Sequence, residues 1–308
     1  MYDLVVIACE RDLPLLRLQA QSMALYLPRK TRIHIMVNEK DPKRFFKKFK
    51  NFSFFYKEFK LKTYTLADFD IEPGDPYEDQ QILKLAASHV TDNHLLILDC
   101  QNFLFRPYVQ LPIFDGKIPY RKVDGQYPMD DTIWKSYCNK VGPCNYEDRR
   151  MGLSTPIYLR NDICRHIILS YGGMQAFVEW FRLATNRKSE FTLYYIWTEV
   201  KLMGIQHYHY LESDPFTWAS PYLRDSVTFD KDFNTYVKQL NEIKEYTGYS
   251  DPHITRDFVN KCCWTSINHR AWGEMTSWQY TKITHLLNKV QLEPKFEEYR
   301  VDYKRVQV

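Results

Sequence analysis

The segment from Leu95 to Asn102 constrains the fold more than any other part of this chain. Its four bulky apolar residues run without alternation and end on the carboxylate of Asp99. A short continuous apolar run is typical of a strand that is buried on both faces, as in the parallel sheet of an α/β protein. In such sheets, ligands bind beyond the carboxyl ends of the strands. The segment therefore predicts a strand buried on both faces, with Asp99 at the ligand-binding edge.

The first hundred residues alternate between strand and helix patterns. Asp75 is a good N-cap and Pro76 suits the first position of a helix, so a helix is predicted from Pro76 onward. The remaining predicted elements are strands at 4–8, 32–37 and 59–66, and a helix that begins after Asp12 and runs to about Tyr26. This order predicts an α/β fold with a mostly parallel, Rossmann-like sheet flanked by helices.

The second part of the chain is less regular. Residues 107–150 are rich in Pro, Gly, Tyr and Asp and are predicted to form long loops, and a strand over 154–159 and helices after Asn161, over 174–184 and over 190–203 follow. No repeat or flexible linker interrupts the chain. One domain over residues 1–308 is therefore expected, with an N-terminal half at 1–106, a second half at 107–275, and a C-terminal helix and tail at 276–308.

Charge and composition restrict the partners. The chain has 42 basic and 38 acidic residues, a formal charge of +4, which is too balanced to indicate nucleic acid as a partner. No segment is long and apolar enough to predict a transmembrane helix.

The basic run Lys43–Lys50 is interleaved with phenylalanines. It predicts either an amphipathic helix with its Phe side packed inward or a peripheral contact with membrane headgroups.

The cysteines indicate a reducing compartment. There are seven, none of them in a C-x-x-C pair, and no histidine cluster completes a zinc site. Free thiols, and hence a cytoplasmic location, are the expectation.

Several segments together resemble a GT-A type glycosyltransferase, and more closely a bacterial and phage group of glycosyltransferase-like proteins with a degenerate Asp-x-Asp motif. Their order extends over nearly the whole chain, from residue 5 to about 272. The segments are Val5 to Asp12, Gln80 to Leu85, Leu96 to Asn102, Ser189 to Tyr194, and Ser266 to Arg270. The resemblance implies transfer of a sugar from a nucleotide-diphosphate donor to a saccharide or glycan acceptor. It assigns donor binding to the N-terminal half and acceptor binding to residues 107–275.

The resemblance also implies which residues contact the donor. Lys84 is one helical turn from Gln81, so the two share a helix face, and Lys84 is expected to meet the diphosphate as a point charge. The full expected donor-binding set is Ala8, Glu10, Arg11, Asn38, Gln81, Lys84, Asp99, Gln101 and Arg270.

A divalent cation is the cofactor that the resemblance implies. Mn²⁺ or Mg²⁺ is expected to be held by Asp99 and His269 with the diphosphate. The usual second carboxylate is replaced by Gln101, a neutral donor that is a poor ligand for a hard dication. Two alternatives follow: either Asp99 and His269 suffice, or Lys84 and Arg270 neutralise the leaving diphosphate in place of the ion.

Glu190 is the predicted general base. It lies in the first turn of a helix, in line with the apolar stripe of Leu193 and Trp197, so its carboxylate points toward the protein. The helix N-terminus favours the ionised form, which a base needs. Such a base suits an inverting transfer.

Two other functions remain as alternatives. The first is a non-catalytic descendant that binds a saccharide or nucleotide, which the replacement of the second Asp by Gln101 would suit. The second and weaker alternative is a nucleotidyltransferase, because that class usually needs a glycine-rich phosphate loop after the first strand and this loop has no glycine.

Overall fold

The computed structural model describes residues 1–104, 108, 110, 113–121, 131–144, 155–184, 189–212 and 264–266. The strands among them are β1 (Tyr2–Ala8), β2 (Arg32–Val37), β3 (Lys60–Thr65), β4 (His94–Asp99), β5 (Asn102–Leu104), β6 (Ile118–Arg121), β7 (Ile157–Leu159), β8 (His209–Glu212) and β9 (Trp264–Ser266). The helices are α1 (Leu13–Tyr26), α2 (Lys43–Phe49), α3 (Pro76–Ala86), α4 (Asp131–Val141), α5 (Asn161–Ser170), α6 (Met174–Ala184) and α7 (Glu190–Lys201).

A five-stranded sheet forms the centre, in the order β3-β2-β1-β4-β7. The first four strands are parallel, and β7 runs antiparallel to β4. Two small pairs lie outside this sheet, β5 with β9 and β6 with β8. The predicted α/β class with a mostly parallel sheet flanked by helices is confirmed.

The sheet is covered on both faces. Leu96 and Leu98 belong to an apolar core that includes residues of α1 and α2, whereas Leu95 and Ile97 belong to a second core built with α3 to α7. All four side chains are fully buried. Helices on both faces explain why the run shows no polar alternation.

The prediction of long loops over 107–150 is wrong in part, because this region contains β6 and α4. The helix buries Trp134, Tyr137 and Val141, which lie on one face at helical spacing. Its end is marked by Gly142 and Pro143. Gly and Pro thus mark the end of an amphipathic helix here. The composition averaged over the whole region did not reveal that helix.

Asp75 caps α3 as predicted, accepting hydrogen bonds from the backbone N–H groups of Tyr77 and Glu78. Asp12 stands before α1, but its side chain makes no cap bond and instead accepts the Cys9 thiol at 3.0 Å. The one-domain organisation stays a prediction, since the C-terminal segment 276–308 lies outside the described residues.

A buried polar cluster connects the elements at the opposite edge of the sheet, where the parallel strands begin. Asp3 accepts a hydrogen bond from Thr91 at 2.6 Å and another from Asn93 at 2.8 Å, and His34 Nε2 lies 3.0 Å from it. Burial alone raises the pKa of Asp3, but these partners outweigh burial and lower it. The cluster joins β1, β2 and the segment that leads into β4.

Asp3→Asn is expected to lower the free energy of unfolding by about 2 kcal/mol at neutral pH, because an amide meets the same donors without the charge. The native pKa of Asp3 lies below the reference value of 3.8, so its contribution is present above that pH and is lost as pH falls through the native value. Urea unfolding at several pH values measures both effects. Asp92→Asn, at a side chain that is 96% exposed, is the control. If the difference in unfolding free energy between the wild type and Asp3→Asn does not shrink at low pH, the charge of Asp3 is not its source.

Candidate functional site

Asp99 ends the interior strand β4 at the carboxyl edge of the sheet, as the sequence predicts. Its side chain remains 25% exposed. One carboxylate oxygen accepts the Thr155 hydroxyl at 2.8 Å, and the other accepts the Gln80 amide at 3.3 Å. The ammonium of Lys84 lies 3.3 Å from that second oxygen. Asp99 is therefore held by three donors and still reaches the surface.

Side chains from other parts of the chain hydrogen-bond to the backbone around Asp99. The Gln19 amide donates to the carbonyls of Asp99 and Asn102, at 2.8 and 2.9 Å. The Asn102 side chain in turn accepts the Asp99 N–H at 2.7 Å and donates to the carbonyl of Thr155 at 3.2 Å. Sequence reasoning missed Gln19, although a polar residue in the buried stripe of α1 is a usable signal. It also missed the roles of Thr155 and Asn102.

Lys84 on α3 bridges two carboxylates inside the protein. Its ammonium lies 3.0 Å from Glu190 and 3.3 Å from Asp99, and the residue is only 4% exposed. The ammonium also lies 5.0 Å from the centre of the Phe191 ring. Burial lowers the pKa of Lys84, but the two carboxylates outweigh burial and raise it. Lys84 is therefore a permanent positive charge.

Glu190 is the most enclosed member of this cluster. It is the first residue of α7, whose N-cap Ser189 accepts the backbone N–H of Thr192, and it is 1% exposed. With its amide nitrogen turned toward the carboxylate, Gln81 donates to both Glu190 oxygens. Burial raises the pKa of Glu190, and the Lys84 charge opposes that rise without cancelling it. The structure thus brings Gln81, Lys84, Asp99 and Glu190 together, from segments up to about a hundred residues apart.

The loops after β1 and β2 form a second group at the same sheet edge. Glu10 lies 3.0 Å from Arg44 Nε and 2.8 Å from Lys48 Nζ, both on α2. Its backbone N–H donates to Glu39. Asn38 donates to the carbonyl of Pro76 at 2.6 Å, which joins this group to the start of α3.

The remaining expected donor residues are placed less tightly. Ala8 is buried and its carbonyl accepts the Asn38 N–H, whereas the Arg11 side chain is 63% exposed. Asp99 pairs in register with Ile7, so Ala8 lies beside it at the strand ends. Gln101 lies in the turn after β4. His269 and Arg270 lie outside the described residues.

Cys9 lies in the loop directly after β1 and donates its thiol hydrogen to Asp12. Burial, together with Asp12, raises the pKa of its thiol to about 12. The five cysteines among the described residues are free, as the sequence predicts.

Among the residues that the structure describes, the side chains around Asp99 do not form a divalent metal site. Within the described ranges, no three His, Cys, Asp or Glu side chains converge as metal ligands. Both Asp99 oxygens already accept protein donors, and the Lys84 ammonium beside them would repel a dication. Hard dications take several oxygen ligands, and Gln101 supplies no carboxylate. Among the described residues, the cation that contacts Asp99 is the ammonium of Lys84.

No known family model matches the sequence, and no curated protein matches it. Among solved structures, the chain is similar to the galactosyltransferase LgtC in complex with donor and acceptor sugar analogs, at 15% identity over 97% of this chain and 99% of the other, with a TM-score of 0.49. It is also similar to the bifunctional glycosyltransferase WbbM, at 12% identity over 93% of this chain and 49% of the other, with a TM-score of 0.49. Mouse xyloside xylosyltransferase 1 is similar at 10% identity, over 76% of this chain and 91% of the other, with a TM-score of 0.42.

Proposed function

We propose that this protein transfers a sugar from a nucleotide-diphosphate donor to the hydroxyl of a saccharide or related acceptor, with inversion. The observation that carries the proposal is the Lys84–Asp99–Glu190 cluster at the carboxyl end of β4. Ligands of open parallel sheets bind at this edge. A buried cation between two carboxylates, one of them partly exposed, suits a substrate that carries both phosphates and hydroxyls.

The donor occupies the edge formed by the loops after β1 and β2 and by Asp99. Glu10, Arg11 and Asn38 contact the nucleoside part, and Asp99 accepts a hydroxyl of the donor. Lys84 and Arg270 supply positive charge to the diphosphate, which gains negative charge as the bond to the sugar breaks. Fixed positive charge at that position stabilises the transition state because it needs no rearrangement during the reaction.

Glu190 acts as the general base. The acceptor oxygen attacks the anomeric carbon, the bond from that carbon to the diphosphate oxygen breaks with its electron pair, and the acceptor proton passes to Glu190. The raised pKa of Glu190 brings it closer to neutral pH, where a base is most effective. Since Gln81 covers the carboxylate, the acceptor must displace the Gln81 side chain in order to reach it.

The function is tested by titrating the protein with a panel of nucleotide sugars while following binding and donor hydrolysis. Binding of at least one nucleotide sugar, with slow hydrolysis or transfer, is the expected result. No binding to any member of the panel, and no hydrolysis with or without Mn²⁺, would refute the proposal.

Activity is expected to persist in a metal chelator, because the charge beside the diphosphate comes from Lys84. The measurement compares transfer rates in EDTA and in added Mn²⁺ or Mg²⁺. Gln101→Asp serves as the counterpart, since it restores a second carboxylate and is expected to introduce a response to Mn²⁺. Complete loss of wild-type activity in EDTA would show that an ion is needed.

A second candidate is a saccharide- or nucleotide-binding protein without catalysis. It is favoured by the internal pairing of Glu190 and Lys84, which leaves both side chains almost wholly enclosed. Nucleotide-sugar binding without turnover in the wild type, combined with metal-dependent turnover in Gln101→Asp, would support this candidate instead.

A further inference from the structure

Positive charge is concentrated in one continuous segment at the edge of the sheet. Residues 29–62 contain twelve of the 42 lysines and arginines but only three of the 38 acidic residues. Their net charge is +9 against +4 for the whole chain, so the other residues together carry −5. The segment runs from just before β2 to β3, the two outermost strands on this side of the sheet. We call it the basic edge.

The lysines of the basic edge face outward from an amphipathic helix. Phe45 and Phe49 of α2 are buried, whereas Lys43, Lys47 and Lys50 are exposed. Arg44 and Lys48 of the same helix are paired with Glu10. Among the ion pairs found in the described residues, none involves those three exposed lysines. Their charge is therefore directed to solvent.

An apolar element lies beside these lysines. The Phe54 ring is 56% exposed and packs against Phe55, with ring centres 4.2 Å apart. Lys50 and Lys57 flank it in sequence and are exposed as well. An open groove of about 340 Å³ adjoins the same turn, lined by Phe46, Phe49, Lys50, Ser53, Leu61 and Thr63.

We propose that the basic edge docks on a bilayer that contains anionic lipids. Exposed lysines beside an exposed aromatic ring and an apolar groove are the features of an interfacial membrane contact, in which rings enter the headgroup region and ammonium groups meet lipid phosphates. The net negative charge of the remaining chain is repelled by the same surface. The protein is therefore oriented with this edge toward the lipid. A largely apolar groove favours lipid over nucleic acid, whose backbone calls for a charged track.

Docking in this orientation places the carboxyl ends of the parallel strands close to the lipid. Arg44 and Lys48 join α2 to Glu10, which lies directly after β1 at that edge. The contact is peripheral, because no helix in the part of the chain that the structure describes has the length and apolar character of a membrane span. This inference does not depend on the proposed transfer reaction, and its test uses no sugar.

The test is co-sedimentation of the full chain with vesicles of phosphatidylcholine alone and with vesicles in which about a third of the lipid is phosphatidylglycerol. Binding to the anionic vesicles only, weakening as salt is raised, is the expected result. The double variant Lys47→Glu with Lys50→Glu is expected to bind at least about tenfold more weakly, since each lysine near the surface contributes substantially. Phe54→Ser is expected to weaken binding at constant charge.

The matched control is Lys140→Glu with Lys201→Glu, which changes the net charge equally at exposed positions outside the basic edge. Circular dichroism of each variant checks that the fold is retained. The proposal is overturned if neutral and anionic vesicles bind equally, if the control weakens binding as much as the Lys47 and Lys50 variant, or if a nucleic-acid oligomer at the same salt displaces the vesicles.

Discussion

Replacing Lys84 with methionine is expected to lower the free energy of unfolding by about 3–5 kcal/mol at neutral pH, the cost of removing one partner from a buried ion pair. Methionine fills a similar volume, so the loss reflects charge more than packing. Among the described residues, Glu190 is then left with a buried negative charge and no cation within contact, and Asp99 loses its only ion pair. Transfer activity is expected to fall to background in the same variant, since Lys84 also faces the diphosphate.

The pH dependence of this loss identifies its source. Without Lys84, the native pKa of Glu190 rises further above its reference value of 4.5. A carboxyl group with a raised native pKa favours the folded state at low pH, and that contribution is lost as pH rises from the unfolded value through the native one. The destabilisation in Lys84→Met is therefore expected to be smaller at pH 5 than at pH 8.

Urea unfolding at the two pH values measures this difference. Lys140→Met, at an exposed lysine on α4, is the matched control and is expected to be nearly neutral. Lys84→Met combined with Glu190→Gln removes the unpaired charge and is expected to regain much of the stability. An equal loss at both pH values, unrelieved in the double variant, would show that packing rather than charge is responsible.

Glu190→Gln has the second large expected effect, a fall in kcat of about a hundredfold or more, the usual contribution of a general base. The amide keeps the shape and an acceptor oxygen for Lys84, so the KM for the donor is expected to change little. The base works only when ionised, so wild-type kcat is expected to fall as pH falls through the raised pKa of Glu190. The variant is expected to lack this acidic limb.

Steady-state kinetics over a range of pH separates a base from a positioning residue. Glu199→Gln, the same change further along α7, is the control. If Glu190→Gln keeps substantial activity, Glu190 only stabilises the first turn of α7 and pairs with Lys84. If kcat falls but the acidic limb persists, Glu190 orients Lys84 and another group accepts the proton.

The local patterns were sufficient to predict much of the fold. The unbroken apolar run before Asp99 predicted a buried strand, because only a strand covered on both faces tolerates four consecutive large apolar side chains. Asp75 with Pro76 predicted the start of α3, because cap and backbone preferences act over a few residues. The same local reasoning was wrong for α4, where flanking Gly and Pro dominated the composition.

The candidate site depended on contacts that no local pattern encodes. Lys84 and Glu190 belong to helices about a hundred residues apart, and the 3.0 Å between their charged atoms arises only when α3 and α7 pack on the same face of the sheet. Sequence alone determined that Asp99 ends a buried strand and that its motif lacks a second carboxylate. Tertiary structure decided that a lysine ammonium lies beside Asp99, because burial makes two carboxylates stable only with a cation between them.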